Sequence, residues 1–338
     1  MNDIAAIVLN YCNWQDTVSC LESLLHSEVA PRWIIVIDNA SPNESVDALL
    51  AWATGNNVSS SFSSWPGLAL SKPIRPRTLR FFHGAPSDGE VSSLISDSRL
   101  WLVLVRNSTN AGYAGGNNVG LALGLRLGAD ACWILNNDTV VHPTTCGALR
   151  DRLAACARPG LVGGMVRYLA APNIVQCCCG GFTNRWTLLT KTFGQGLSLD
   201  AAIMLSAQKI EREMNFIYGA SVMASRKFVE TVGFMDERYF LYCEEQDWAW
   251  SAADRFELAY APDAHTLHRE GGSTGMSHSR RSLGRLGLLC RSRLRLAAKH
   301  NPASLPIVTF SLIYAAIRLV LRSCKEQISV RIRDDKTI

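Results

Sequence analysis

Apolar and polar positions in the front half of the chain alternate by whole elements rather than residue by residue. "IAAIVLN" (Ile4 to Asn10) is unbroken apolar sequence until its last residue, and from Asn13 a helical repeat puts Val18, Leu21, Leu24 and Leu25 on one face. "WIIVID" then leads into the helical "SVDALLAWA", "LWLVLVRN" passes through a Gly/Asn loop into "NNVGLALGLRLG", and "ACWILNND" leads into "TTCGALRDRLAACA". Strand-length runs that are apolar on both faces and alternate with helices predict an α/β fold with a mostly parallel sheet covered on both sides. Such sheets bind ligands at the carboxyl ends of their strands.

Those ends are polar together. The runs close on Asn10 and Tyr11, on Asp38, Asn39 and Ser41, on Arg106, Asn107 and Asn110, and on Asn136, Asn137 and Asp138. Any one of them is an ordinary turn or helix cap, but neighbouring strands that all end this way predict one crevice. Asp38 suits the base N–H groups or ribose hydroxyls of a nucleotide. Asp138 offers the hard oxygen that Mg²⁺ or Mn²⁺ needs beside a diphosphate. The glycines of "NAGYAGGNN" (Gly112, Gly115, Gly116) predict close backbone approach to a ligand, although their spacing is not the dinucleotide fingerprint.

The second half changes character. Asp236, Glu237, Glu244, Glu245 and Asp247 crowd among Tyr239, Phe240, Tyr242, Trp248 and Trp250, followed by His265 and His268. Acids there suit the start of a helix, or a general base beside aromatic faces for sugar rings. Spacing alone leaves Glu244, Glu245 and Asp247 as equal candidates for the base.

Composition adds three constraints. With 48% hydrophobic and 19% charged residues the chain is globular, and an acid at Asp3 with an apolar run ending by Leu9 predicts no secretory leader. Eleven cysteines at irregular spacing, three of them consecutive (Cys177, Cys178, Cys179), read as reduced thiols of a cytosolic protein rather than a disulfide framework. Between Arg280 and Lys336 there are thirteen Lys and Arg against three acids, a net of +10 that leaves −5 for the rest. Helical patterns at 282–300 and 305–323 make this tail a basic, amphipathic segment suited to an anionic membrane surface. No nucleic-acid-binding motif accompanies the charge, and its apolar stretch of 13 residues is too short to span a bilayer. The low-complexity, proline-bearing stretch at about 55–98 reads as a loop or insertion outside the chemistry.

The ordered series "VLNYCNW", "VIDNAS", "RNSTNAGYAGGNNVGL", "WILNNDTVVHP", "YGASVMASRKFVETVGFMDERYFLYCEEQDW" and "HREGGSTG" resembles the family-2 inverting glycosyltransferases, in particular the bacterial rhamnosyltransferases of surface-polysaccharide assembly. The resemblance runs from about Ile4 to Gly275. It implies a single GT-A-like domain over 1–275, with 276–338 as a separate helical segment. It also implies transfer of a sugar, best matched by rhamnose, from a dTDP- or UDP-sugar to a lipid-linked or oligosaccharide acceptor, at the inner face of the cell membrane. By position, Asp138 and His268 take the metal role, with the first acid of the family's Asp-x-Asp replaced by Asn136. Glu245 becomes the base, with Glu244 and Asp247 positioning the acceptor. Asp38 falls at the base-binding aspartate, and the donor set adds Asn10, Asn39, Asn110, Gly112, Gly116, Asn117 and Asn137. A sugar nucleotidyltransferase of the same fold class would carry a glycine-rich basic loop after the first strand, and "NYCNWQDTV" has neither Gly nor Lys. A non-catalytic sugar-nucleotide binder would have lost some of these acids, and a nicotinamide oxidoreductase would carry the dinucleotide fingerprint.

Overall fold

Each long apolar run of the front half becomes a buried strand, because an Ile/Val/Leu run without polar alternation has no face to offer water. The computed structural model of the 338-residue chain describes residues 3–55, 65, 78–96, 101–269, 278–315 and 317–318. Strands and helices first alternate: β1 (Ile4–Asn10), α1 (Trp14–Leu25), β2 (Trp33–Asp38), α2 (Ser45–Thr54), β3 (Leu79–His83), α3 (Asp88–Ile95), β4 (Trp101–Arg106), α4 (Gly112–Arg126) and β5 (Ala131–Asn136). There follow β6 (Thr139–Val141), α5 (Thr145–Ala154), β7 (Pro159–Tyr168), β8 (Ala171–Cys178), β9 (Gly180–Thr183), β10 (Thr190–Thr192), α6 (Leu199–Ile203), α7 (Ala207–Glu213), β11 (Phe216–Ile217), β12 (Ser221–Ser225), α8 (Arg226–Val232), α9 (Glu244–Ala252), β13 (Glu257–His268) and α10 (His278–His300).

The main sheet runs β3-β4-β2-β1-β5-β12-β7-β13-β6, with β8 on β7. Its first five strands are parallel, so β4, β2, β1 and β5 end side by side, with Asn10 opposite Asp38 and Asp38 opposite Arg106 in register. The mostly parallel α/β architecture expected from the sequence is the one observed.

Two expectations change. The 55–98 stretch is not simply a loop, because β3 is the parallel edge strand of the sheet and α3 follows it, started by a Ser87–Glu90 capping box. Residues 56–64, 66–77 and 97–98 of that stretch lie outside the described residues. Gly112 and Gly116 of α4 admit protein rather than ligand, whereas Gly115 lines an open cleft at the strand ends. Gly112, Gly116, Gly120 and Gly124 stand one turn apart on one helix face, and a Cβ there would strike Phe240, Leu9, Ile7 and Cys132 respectively. This bare stripe lets α4 lie against β1 and β5.

The chain divides into two compact units, one of Met1–Phe182 with Thr190–Gly275 and one of Thr183–Leu189 with Met276–Ile338. In the second, α10 is followed by helical residues 305–315. Ile307, Phe310, Ile313, Tyr314 and Ile317 of that unit are exposed. Among the described residues no helix is long and apolar enough to cross a membrane. The tail beyond 318 lies outside the described residues.

Candidate active site

The strand ends are tied together by amides. Asn10 Nδ2 donates to Asp38 Oδ1 at 2.7 Å, and the Ser41 N–H donates to Asp38 Oδ2 at 3.1 Å. One strand over, Asn39 Nδ2 donates to Asn110 Oδ1 at 2.9 Å and to the Gly112 carbonyl at 3.0 Å, while Asn39 Oδ1 accepts from Asn107 Nδ2 at 3.1 Å. Asn137 Nδ2 donates to the Asn13 carbonyl at 3.1 Å and to Thr17 Oγ1 at 3.0 Å, which pins the start of α1 to the end of β5. The predicted donor-binding residues therefore do converge, but as scaffold. Asn10, Asp38 and Asn117 are fully buried, and Asn117 spends its amide on the Tyr113 carbonyl within α4. An open cleft of about 660 Å³ runs over the ends of β2, β3 and β4, lined by Ala40, His83, Arg106, Ser108, Thr109 and Glu237 among others. Its size suits a nucleoside.

At the end of β5 the sequence turns into β6, which pairs antiparallel with β13 and sets His268 opposite Thr139. This brings His268 Nε2 to 3.1 Å from Asp138 Oδ1 and 3.3 Å from Asn136 Nδ2. On the other side of the ring, His268 Nδ1 meets Gln176 Oε1 at 2.8 Å. The amide oxygen can only accept, so Nδ1 carries the proton, and in the neutral ring Nε2 presents its lone pair. A lone pair and a carboxylate oxygen 3.1 Å apart repel unless a proton or a cation lies between them. One carboxylate oxygen and one imidazole nitrogen, both buried and facing each other, fit a divalent cation that takes its remaining ligands from a diphosphate and water. Among the described residues no cluster of three or more His, Cys, Asp or Glu side chains accompanies them.

The three acids that spacing could not separate are separated by geometry. Tyr242 and Cys243 adopt left-handed φ angles of +73° and +69° without being glycines, and this tight turn leads into α9, which packs against β11. Asp247 is buried and accepts from the Tyr239 hydroxyl at 3.3 Å. Glu244 is buried, and burial together with the neighbouring Glu245 charge raises its pKa well above the usual carboxylate range. Glu245 alone keeps partial access to solvent. Its carboxylate lies against Gly219, where any side chain would collide with it. Desolvation pushes Glu245 up to about 7, against backbone N–H groups of Gly219 and Glu245 itself that favour the anion.

The segment 218–220 joins these two centres. The Tyr218 ring meets the His268 ring edge at 6.2 Å, Gly219 backs Glu245, and the Ala220 carbonyl accepts from the Asn136 N–H at 3.1 Å. The Tyr113 hydroxyl donates to the Gly219 carbonyl at 2.7 Å, and burial first, then the charges of Glu245, Glu244 and Asp138, raise its pKa. Gln176, Gly219 and Tyr113 were not among the residues expected at the site; of these only Gly219, inside "YGAS", carried a signal, that of a residue without a side chain. Most of the aromatics thought fit for sugar rings are core instead: Tyr239, Trp248 and Trp250 are buried, and Phe240 alone among the large ones is well exposed. Asp236 pairs with Arg238 at 2.6 Å, and Glu237 accepts from Asn118 at 3.0 Å, so both serve the local structure.

No family model matches the chain. Two relatives, both described as N-acetylglucosaminyl-diphospho-decaprenol L-rhamnosyltransferase, from Mycobacterium tuberculosis strains CDC 1551 / Oshkosh and ATCC 25618 / H37Rv, are each 27% identical over 156 residues. The match takes in 42% of this chain and 48% of the relative, so the chain spans about half the length of the curated relatives it matches. Among solved structures, a mannosyltransferase from Pyrobaculum calidifontis in complex with GDP-Man and Mn²⁺ is similar at TM-score 0.51 and 14% identity, over 95% of this chain and 75% of that one. S. aureus TarS 1–349 is similar at TM-score 0.47 and 10% identity, over 90% and 69% of the two chains. The fold is thus shared with a nucleotide-sugar glycosyltransferase, and the rhamnosyltransferase resemblance seen in the ordered motifs recurs in these relatives.

Proposed function

We propose that this chain is an inverting, metal-dependent glycosyltransferase that moves a sugar from a nucleoside diphosphate to a lipid-linked or oligosaccharide acceptor. The observation that carries this reading is the pairing, through residues 218–220, of two centres of opposite character: the Asp138–His268 pair and the half-buried Glu245 with its pKa raised to about 7. The partial match to rhamnosyltransferases of a lipid-linked N-acetylglucosamine points to rhamnose as donor sugar and to a lipid diphosphate acceptor.

In this reading Asp138 and His268 hold Mg²⁺ or Mn²⁺, which supplies positive charge to the leaving diphosphate. The nucleoside lies in the cleft at the ends of β2, β3 and β4, beside Arg106, with the buried Asp38 network holding those strand ends in place. Glu245 accepts the proton of the acceptor hydroxyl as that oxygen bonds to the anomeric carbon. The bond from that carbon to the diphosphate oxygen breaks, and the nucleoside diphosphate leaves with its electron pair. Attack from the Glu245 side inverts the anomeric centre. Gln176 fixes the His268 tautomer, and Gly219 leaves room for the base. The basic second unit attaches the enzyme to the anionic inner face of a membrane. A panel of dTDP-, UDP- and GDP-sugars incubated with Mn²⁺ and no acceptor tests the assignment. Slow, metal-dependent release of one nucleoside diphosphate is expected, and indifference to every donor contradicts it.

A further inference from the structure

The face that β6, β7 and β13 turn away from His268 carries three basic side chains. Side chains alternate along a strand, so His265 and Leu267 share one face, and pairing sets Arg167 and Val140 on either side of Leu267. His142, just past β6, donates its backbone N–H to the His265 carbonyl at 3.0 Å, and the two imidazole rings lie 6.5 Å apart. Trp65 covers the group. It packs on Val140 and Leu267, its ring meets His142 at 4.9 Å, and the Arg167 guanidinium lies 4.7 Å over it.

Arg167 is only 7% exposed. Its Nε is buried with no hydrogen-bond partner among the described residues, and so is His265 Nδ1. Burial shifts the Arg167 pKa downward, and among the described residues no carboxylate forms an ion pair with it. Among the described residues the acids that reach the cluster, Glu28 facing His142 and Asp263 facing His265, are both exposed and act on the imidazoles. A ring face returns only part of the hydration that a buried guanidinium gives up. Burial, then the Arg167 charge, lowers the pKa of His265 to about 4, and burial is likewise the largest cause lowering His142. At neutral pH both rings are therefore uncharged and can each offer one N–H.

We infer that Arg167, His142 and His265, roofed by Trp65, form a binding site for a phosphate-class anion. One planar guanidinium fork and two imidazole N–H groups, from β7, β13 and the residue after β6, can surround a tetrahedral oxyanion, which would supply the counter-charge that the buried cation lacks among the described residues. The site is separate from the Asp138–His268 pair, since His265 lies three residues back along β13 and on its other face. Its ligand is either a free phosphate or diphosphate, or the diphosphate of a lipid-linked acceptor; the second source rests on the proposed function.

The test uses the full chain in EDTA, so that no cation can recruit anions to Asp138. Inorganic pyrophosphate is titrated while the imidazole signals of His142 and His265 are followed by NMR. Saturable shifts of both are expected. Arg167→Gln should weaken pyrophosphate binding by about tenfold or more, because it removes charge-assisted hydrogen bonds, and Asp138→Asn should leave it unchanged. Absence of saturable shifts in the wild-type protein, or unaltered affinity in a folded Arg167→Gln, overturns the site. If Arg167→Gln does not fold, the wild-type titration still decides. Tighter binding of geranyl diphosphate than of pyrophosphate identifies the lipid-linked source, and equal binding identifies the free anion. Loss of sugar-nucleotide activity would leave these results untouched, so the two readings fail separately.

Discussion

Glu245 differs from its neighbours by its surroundings rather than its chemistry. Glu244 and Asp247 occupy the same first turn of α9, yet both are buried, whereas Glu245 reaches the open side beside Gly219. Glu245→Gln keeps the volume and removes the proton acceptor, so sugar transfer should fall by about 10² to 10⁴ with donor affinity unchanged. A base with its pKa at about 7 acts only when ionised, so transfer in the wild-type enzyme should rise with pH up to about 7 and level off above it. A rate already flat from pH 5 upward would remove Glu245 from that role. The acids themselves were legible in the sequence. What chooses among them, two left-handed residues at Tyr242 and Cys243, was not, because neither residue type announces that conformation. Asn136, Asn137 and Asp138 show the same division. Their clustering marked the strand end, but only the fold shows that Asn137 is bonded to α1 while Asp138 faces His268.

Among elements, the runs buried on both faces were readable and the edge was not. β3 is "LRFFH", short and partly exposed at the side of the sheet, so it has neither an unbroken apolar run nor a clean alternation. The helix α4 was readable as a helix, but its glycines suggested a ligand because sequence does not show what stands opposite a bare backbone. Two of them separate conformation from contact. Gly112 has φ +73° with the Phe240 carbonyl where a Cβ would go, while Gly128 has φ +86° with nothing within 4 Å. Gly128→Ala should cost about 1 kcal/mol, the conformational term alone. Gly112→Ala adds overpacking against backbone and should cost about 2 to 4 kcal/mol. Urea unfolding midpoints of the two variants check this, and equal losses would contradict the packing role.

For the whole molecule, the uneven charge predicts an anionic partner for the second unit. Exposed Phe310, Ile313 and Tyr314, together with the basic residues of α10, give the second unit the composition of an interfacial segment. Truncation before His278 should release the protein from vesicles containing anionic phosphatidylglycerol, and salt should weaken binding of the intact chain because exposed charges are screened within about 8 Å at physiological ionic strength. Co-sedimentation that is equal with and without the tail would contradict this. In the proposed mechanism the crevice binds a sugar nucleotide through a cation held by Asp138 and His268, with Glu245 serving the acceptor alone. Calorimetric titration of dTDP-rhamnose, or of whichever sugar nucleotide the donor panel selects, into the wild-type, Asp138→Asn and Glu245→Gln proteins with and without Mn²⁺ tests it directly. Binding should require the cation, vanish in Asp138→Asn and persist in Glu245→Gln. Binding that ignores Mn²⁺ and survives Asp138→Asn would rule out a cation at Asp138.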